Sequence, residues 1–175
     1  FKYYHLRGYR IKKDLVKIWG LEREEIFEGI KKNKIYYERQ LLRHLNHSIK
    51  NNKGISIDIG ANIGNHSIFF AKYISDKVIS FEPSLVNYNI LLRNLKTNLK
   101  NNQFLAFQIG LGCSEYDTNL FYPSKNNFGM AKIRDDDKSK NTEKIKIDTL
   151  DNIVKKNKIN DPINLIKIDV EGMEI

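Results

Sequence analysis

From Gly54 onward, short β-branched runs alternate with longer stretches whose apolar residues recur at helical spacing. Ile55 to Ile59 reads as a strand, and a helical run follows from about Ile63 to Ile74. Val78 to Phe81 reads as a second strand. Ser84, placed after Pro83 to cap, opens a helix that runs to Leu99, and Phe104 to Ile109 is a third strand. Crossovers of this length join parallel strands with right-handed connections, and sheets built this way carry helices on both faces. The expected fold is α/β, a doubly wound, mostly parallel sheet.

The flanks differ from this core. Between residues 11 and 50, Ile26, Phe27 and Ile30, then Leu41, Leu42, Leu45 and Ile49, sit at helical spacing among Lys, Arg and Glu. A helical segment is expected there, with breaks at Gly20, Gly29 and Asn33 and no competing strand. Downstream, Thr118 to Tyr122 and Glu143 to Ile147 read as short strands, and the polar stretch from Ser124 to Asn141 reads as a surface loop of a hairpin-like insertion. A short helix from about Thr149 to Lys156 precedes a last strand, Ile163 to Val170. The organisation expected is a helical N-terminal segment over residues 1–50 and an α/β domain over 51–175.

Composition narrows the class without naming a partner. The chain of 175 residues is 41% hydrophobic and 29% charged, as a folded globular domain is. It has neither an apolar run long enough to cross a bilayer nor a signal-peptide pattern, so a soluble, cytoplasmic protein is expected. The chain opens on Phe1 rather than Met, which leaves room for a lost start. Cys113 is the only cysteine; with no His or Lys beside it, it reads as structural. The net charge of +9 suits an anionic partner, but the lysines come with Asn and Ile throughout, as at Lys96 to Asn102, and read as a general compositional bias. No stripe of interleaved aromatic and basic residues supports nucleic-acid binding.

The candidate chemistry begins at Asp58-Ile59-Gly60-Ala61-Asn62-Ile63-Gly64-Asn65-His66, where the first strand gives way to the first helix. In an open α/β sheet the ligand crevice lies outside the carboxyl ends of the strands, and Gly60 and Gly64 suit a tight turn that approaches a ligand closely. A dinucleotide fingerprint needs glycine at the third and sixth positions, where Asn62 and Asn65 stand, and no Walker-type Gly-Lys-Ser or Gly-Lys-Thr follows. The ligand is therefore not expected to be held by a pyrophosphate. Glu82 ends the second strand, where a carboxylate can accept hydrogen bonds from both hydroxyls of a ribose.

These stretches, in order, resemble the FkbM-type methyltransferases: Tyr36-Tyr37-Glu38, the Asp58 to Gly64 turn, Phe81-Glu82-Pro83, Thr149-Leu150-Asp151, and Ile166-Lys167-Ile168-Asp169-Val170-Glu171-Gly172-Met173-Glu174. The resemblance implies a class I, Rossmann-like methyltransferase fold that uses S-adenosylmethionine, most often to O-methylate a sugar or related metabolite. It implies that Asp58, Gly60 and Asn62 line the methionine end of the cofactor, with Ala61, Gly64 and Pro83 in the same set. Glu82 is then expected on the ribose, Gly110 and Leu111 near the adenine, and Glu38 in the pocket wall, although Glu38 also reads as an exposed helix charge. Family members continue past the position of Ile175 into a helix and three further strands, so an incomplete sheet with an exposed edge and weak or no turnover by this chain alone is expected.

Asp169 and Glu171, two apart near the end of the last strand, face one side if the chain stays extended. They suit a general base, a divalent metal that acidifies a hydroxyl, or the start of a following helix. His66 reads either as a base near the methyl group or as a packing residue. His44 and His47 lack further ligands for a metal, and Asp135 to Asp137 reads as a solvated loop. Two other functions remain open on the residues alone: a nicotinamide-dependent oxidoreductase and a nonenzymatic basic binding module.

Overall fold

The protein is described by a computed structural model over residues 6–49, 53–122, 131–134 and 142–170. It opens on an antiparallel hairpin of β1 (Leu6–Ile11) and β2 (Val16–Leu21), paired so that Ile11 faces Val16. The helical reading of residues 11 to 21 is thus corrected. Val16 and Ile18 are β-branched and fully buried at period two, a strand signal too short to stand out beside the helices that follow. Gly20 is no break either: a Cβ there would lie 2.4 Å from Phe27 Cγ, so it is a packing glycine.

Helices α1 (Glu25–Asn33) and α2 (Arg39–Ser48) follow, as the spacing predicts, although Gly29 stands inside α1 and does not break it. Glu24 caps α1, its carboxylate accepting from the backbone N–H of Ile26 (3.2 Å) and Phe27 (2.9 Å). The helix ends at Asn33, where Lys34 takes a left-handed conformation.

The central sheet consists of β3 (Ile55–Ile59), β4 (Lys77–Phe81), β5 (Phe104–Phe107) and, returning from the far end of the chain, β10 (Ile163–Ile168). Its order is β10-β3-β4-β5, with every pairing parallel. α3 (Asn65–Tyr73) joins β3 to β4, and α4 (Leu85–Asn98), capped by Ser84, joins β4 to β5. Side chains alternate across β3. Ile55, Ile57 and Ile59 pack on one face with Ile153 of α5 (Leu150–Lys156), while α3 and α4 place Ile68, Phe70 and Leu91 in the cluster on the other face. Helices on both faces make the sheet doubly wound, as the sequence predicts.

Between β5 and β10 lies a second, four-stranded sheet of order β6-β9-β7-β8, built from β6 (Gly110–Leu111), β7 (Tyr116–Phe121), β8 (Lys132–Arg134) and β9 (Thr142–Asp148). The hairpin-like insertion is thus a sheet. Within the stretch read as a loop, residues 132–134 form β8 on the edge of β7. The Asp135 to Asp137 triplet lies outside the described residues.

The N-terminal segment shares its core with the α/β layer: Val16, Ile18, Phe27 and Leu42 belong to one buried cluster with Ile68, Phe70 and Leu91. Two asparagines on α4 join the layers. Asn98 accepts from Lys17 N–H (2.9 Å) and donates to Lys17 O (2.8 Å); Asn94 accepts from Trp19 N–H (2.7 Å) and donates to Trp19 O (2.8 Å). The match follows from element geometry. Four residues of helix rise about 6 Å, nearly the about 6.8 Å covered by two residues of strand, so two side-chain amides complete a strand edge.

At the other side, β3 is the only partner of β10 among the described residues, and Ile163, Ile166 and Ile168 are 44%, 46% and 55% exposed. No helix among the described residues is long and apolar enough to cross a membrane.

Candidate functional site

The chain leaves β3 towards β4 and β5 on one side and returns to β10 on the other, so the carboxyl ends of β3 and β10 flank a topological switch point. Gly60 turns there with φ +71, and a Cβ on it would lie 1.9 Å from the carbonyl oxygen of Asp169. Only glycine lets the turn pass this close to the end of β10. The Gly60 and Ala61 amides both donate to Phe81 O (3.0 and 2.9 Å), stitching the turn to the tip of β4. Asn62 follows in a left-handed conformation, φ +50, which its short polar side chain tolerates.

Glu82 joins this turn to the next helix. One carboxylate oxygen accepts from Asn62 N–H (2.8 Å), and the other accepts from Ser84 N–H (2.9 Å). The side chain is buried, and burial pushes its pKa up to about 7 against the lowering effect of those two amides.

Glu82 faces a cleft of about 330 Å³, within the size range of small-molecule sites. Gly60, Ala61, Asn62, Pro83, Gly110 and Leu111 also line it. Leu120, Ile133 and Ile147 of the second sheet form an apolar wall. Opposite lies a polar wall from the N-terminal segment. Asn65 clamps Tyr37 from both sides, accepting from its N–H (3.0 Å) and donating to its carbonyl (3.1 Å), which brings Glu38 to 3.1 Å from His66 Nε2. His66 is 8% exposed; burial lowers its pKa, outweighing Asp58 and Glu38, so the imidazole is neutral near pH 7. Glu38 thus lines the cleft just ahead of α2 while its side chain stays 45% exposed.

The floor holds Lys167. Its ammonium lies 3.1 Å from Asp58 Oδ1 and 3.5 Å from Asp169 Oδ2, and donates to Gly60 O at 3.0 Å. Burial alone pulls its pKa down, but the carboxylates of Asp58 and then Asp169 outweigh that and hold it above the ordinary lysine value. Asp58 is fully buried, with Ser67 Oγ donating to its other oxygen (2.6 Å) and Ser80 Oγ donating to Ser67 (2.9 Å).

Two residues expected in the cofactor wall lie elsewhere. Asp58 is beneath the turn, committed to Ser67 and Lys167, and does not line the cleft. Gly64 caps α3 at φ +85, where a Cβ would come 2.6 Å from Leu91 Cδ1; its smallness serves packing against α4. Asp169 lines the cleft, whereas Glu171 lies outside the described residues. His44 and His47 sit on α2 away from the cleft, and Cys113 is exposed. Among the described residues no group of three His, Cys, Asp or Glu is arranged for a metal ion, and the cation beside Asp169 is the lysine ammonium. Glu24, Tyr37 and Asn65 also line the cleft; the sequence assigns them no role, although Tyr37 and Asn65 stand within its motifs.

The residues present fit a nucleoside carrying an amino acid. Glu82 offers a buried acceptor at the strand tip, and the Asn62 side-chain oxygen is buried without a hydrogen-bond donor among the described residues. A glycine turn at the switch point of a doubly wound parallel sheet, with an acidic residue at the neighbouring strand tip, defines a Rossmann-like α/β protein. The methyltransferase FkbM domain model matches residues 58–175, and the chain belongs to that family. Methyltransferase sdnD of Sordaria araneosa is 40% identical over 67 residues, which are 38% of this chain and 26% of that protein. The crystal structure of methyltransferase FkbM from Methylobacillus flagellatus KT matches 70% of this chain and 27% of its own, with 22% identity and a TM-score of 0.46. The chain spans about a quarter of the length of each of these relatives.

Proposed function

We propose that this methyltransferase domain binds S-adenosylmethionine in the strand-tip cleft and serves O-methylation of a hydroxyl on a sugar, glycan or related metabolite. The observation that carries the reading is Glu82, a buried carboxylate fixed at the tip of β4 by two backbone amides and open to the cleft. A carboxylate so placed accepts from a ribose diol. Gly60, Ala61 and Asn62 would hold the amino-acid end, and Gly110, Leu111 and Pro83 would flank the base. When bound, the cofactor supplies an electrophilic methyl group on a sulfonium.

The protein's own part is to hold the acceptor and take its proton. His66 is the proton acceptor the geometry favours. Its burial keeps it neutral, and Glu38 at 3.1 Å would stabilise the cation it becomes. Asp169 faces the Lys167 ammonium instead, at 3.5 Å. The reading places the protein in the cytoplasm, where its free, exposed Cys113 stays reduced.

Calorimetric titration with S-adenosylhomocysteine and, separately, with NAD tests the cofactor. Binding of the first and not the second is expected, and the reverse would overturn the reading in favour of an oxidoreductase. Mass detection of one added methyl group, with the full-length protein and candidate hydroxyl acceptors, tests the reaction. Nucleic-acid binding that weakens steeply with salt would instead support a basic binding module.

A further inference from the structure

We infer that Lys167 is a positioning residue for the glycine turn, its buried ammonium tying the Gly60 carbonyl, the Asp58 carboxylate and the Asp169 carboxylate into one unit. The role assigned to the turn rests on the cofactor reading above; the tie itself does not. Three distances make the unit: 3.0 Å to Gly60 O, 3.1 Å to Asp58 Oδ1 and 3.5 Å to Asp169 Oδ2.

The placement follows from the register. β10 runs parallel to β3 with Lys167 opposite Asp58, so the two side chains leave the sheet on the same face, beneath α3. Asp58 is fully buried, and the lysine side chain is 16% exposed. A lone carboxylate there is costly, whereas a paired one is tolerated. Asp58 Oδ2 is already taken by Ser67, itself bonded to Ser80, so the carboxylate is held from the α3 side and cannot swing away from the lysine. The lysine in turn reaches past Asp58 to the Gly60 carbonyl. Gly60 O therefore has an internal donor, while its own N–H is spent on Phe81. The turn is pinned on both sides of Gly60, by β4 through the amide and by β10 through the lysine. The same ammonium draws the Asp169 carboxylate towards the turn and fixes how that exposed side chain enters the cleft.

A purely structural salt bridge would predict something different from a positioning group, and a paired substitution separates the two. Lys167→Met alone strands the buried Asp58 charge and destabilises the fold, so its effect on the cleft cannot be interpreted by itself. Asp58→Asn with Lys167→Met removes both charges, while the isosteric amide at the first position retains an acceptor for Ser67. The double variant is therefore expected to recover the thermal stability lost in the single one. If Lys167 positions the turn, the recovered protein still exchanges its Gly60 and Ala61 amides about tenfold faster than the parent, without any ligand present. Its Kd for S-adenosylhomocysteine then also rises about tenfold.

Amide exchange at Gly60 and Ala61 returning to the parental rate in the stable double variant would overturn the inference. The outcomes are distinguishable. Faster exchange in the variant with no binding of S-adenosylhomocysteine by the parent sinks the cofactor reading and leaves the positioning role standing. Parental exchange with tight binding does the reverse. A double variant that fails to recover stability contradicts the compensated-pair account of Asp58 and Lys167 on which the inference depends.

Discussion

If a ribose diol donates to Glu82, that carboxylate must be ionised to accept both hydrogen bonds, and ligand binding must then be linked to its titration. Burial holds Glu82 at about pH 7 in the free protein. At pH 6 only about a tenth of the molecules carry the charged form, against about nine tenths at pH 8, so the apparent Kd for S-adenosylhomocysteine should be about tenfold weaker at pH 6. Close to one proton should be released per ligand bound at pH 6. Calorimetry at each pH in two buffers of different ionisation enthalpy reads both the affinity and the proton count. Glu82→Gln cannot titrate and loses the charge-assisted part of the two bonds, each worth about 1.5–3 kcal/mol, so its affinity should be lower by about two orders of magnitude and flat with pH. A parental Kd that is level from pH 6 to pH 8, with no proton exchange, would refute the reasoning.

The same residue shapes stability. Its folded pKa lies above the unfolded value of 4.5, so the folded chain holds the proton more tightly; this contribution is complete below about pH 4.5 and is lost as the pH rises to about 7, up to about 3 kcal/mol. Urea unfolding of the parent and of Glu82→Gln across that window should show a downward slope in the first that the second lacks. Gly64→Ala forces a Cβ against Leu91 at a left-handed position and should cost about 2–4 kcal/mol by thermal unfolding, with little change in S-adenosylhomocysteine affinity because Gly64 is not in the cleft wall. Asn94→Leu strands the Trp19 amide and carbonyl and the Ile63 carbonyl, a loss of about 2–4 kcal/mol in urea. Because an ammonium already sits beside Asp169, EDTA should leave S-adenosylhomocysteine affinity unchanged, and a drop on chelation would restore the metal reading.

The parts of the fold readable in the sequence are those whose cause is local. The β3 turn and Glu82 show themselves through Gly60, a β-branched strand before it and an acidic residue at the next strand tip. The capped starts of α4 and α5 follow from Ser84 and Thr149, whose side chains accept from amides three residues on. What the sequence hides depends on partners far along the chain. Val16 and Ile18 become a strand because β1 and two asparagines on α4 are there to pair with β2, and the short β8 exists only against β7. Lys167 reads from its motif as packing or ion pairing, but its partner is hidden until the β10 register sets it against Asp58. Asp58 is legible as important but not as buried, since a carboxylate at a strand end gives no sign of whether a ligand or a lysine will meet it. Gly64 misleads for a related reason: φ +85 and the nearby Leu91 explain it without any ligand.

The asparagine pair on α4 also bears on how the chain behaves among its own copies. A two-stranded ribbon presents a row of open amides and carbonyls, the template on which another strand can add and aggregation can start. Here four side-chain hydrogen bonds already occupy Lys17 and Trp19. An incoming strand must displace them before it can pair, so loss of either amide would weaken the hairpin's attachment and at the same time open it to self-association.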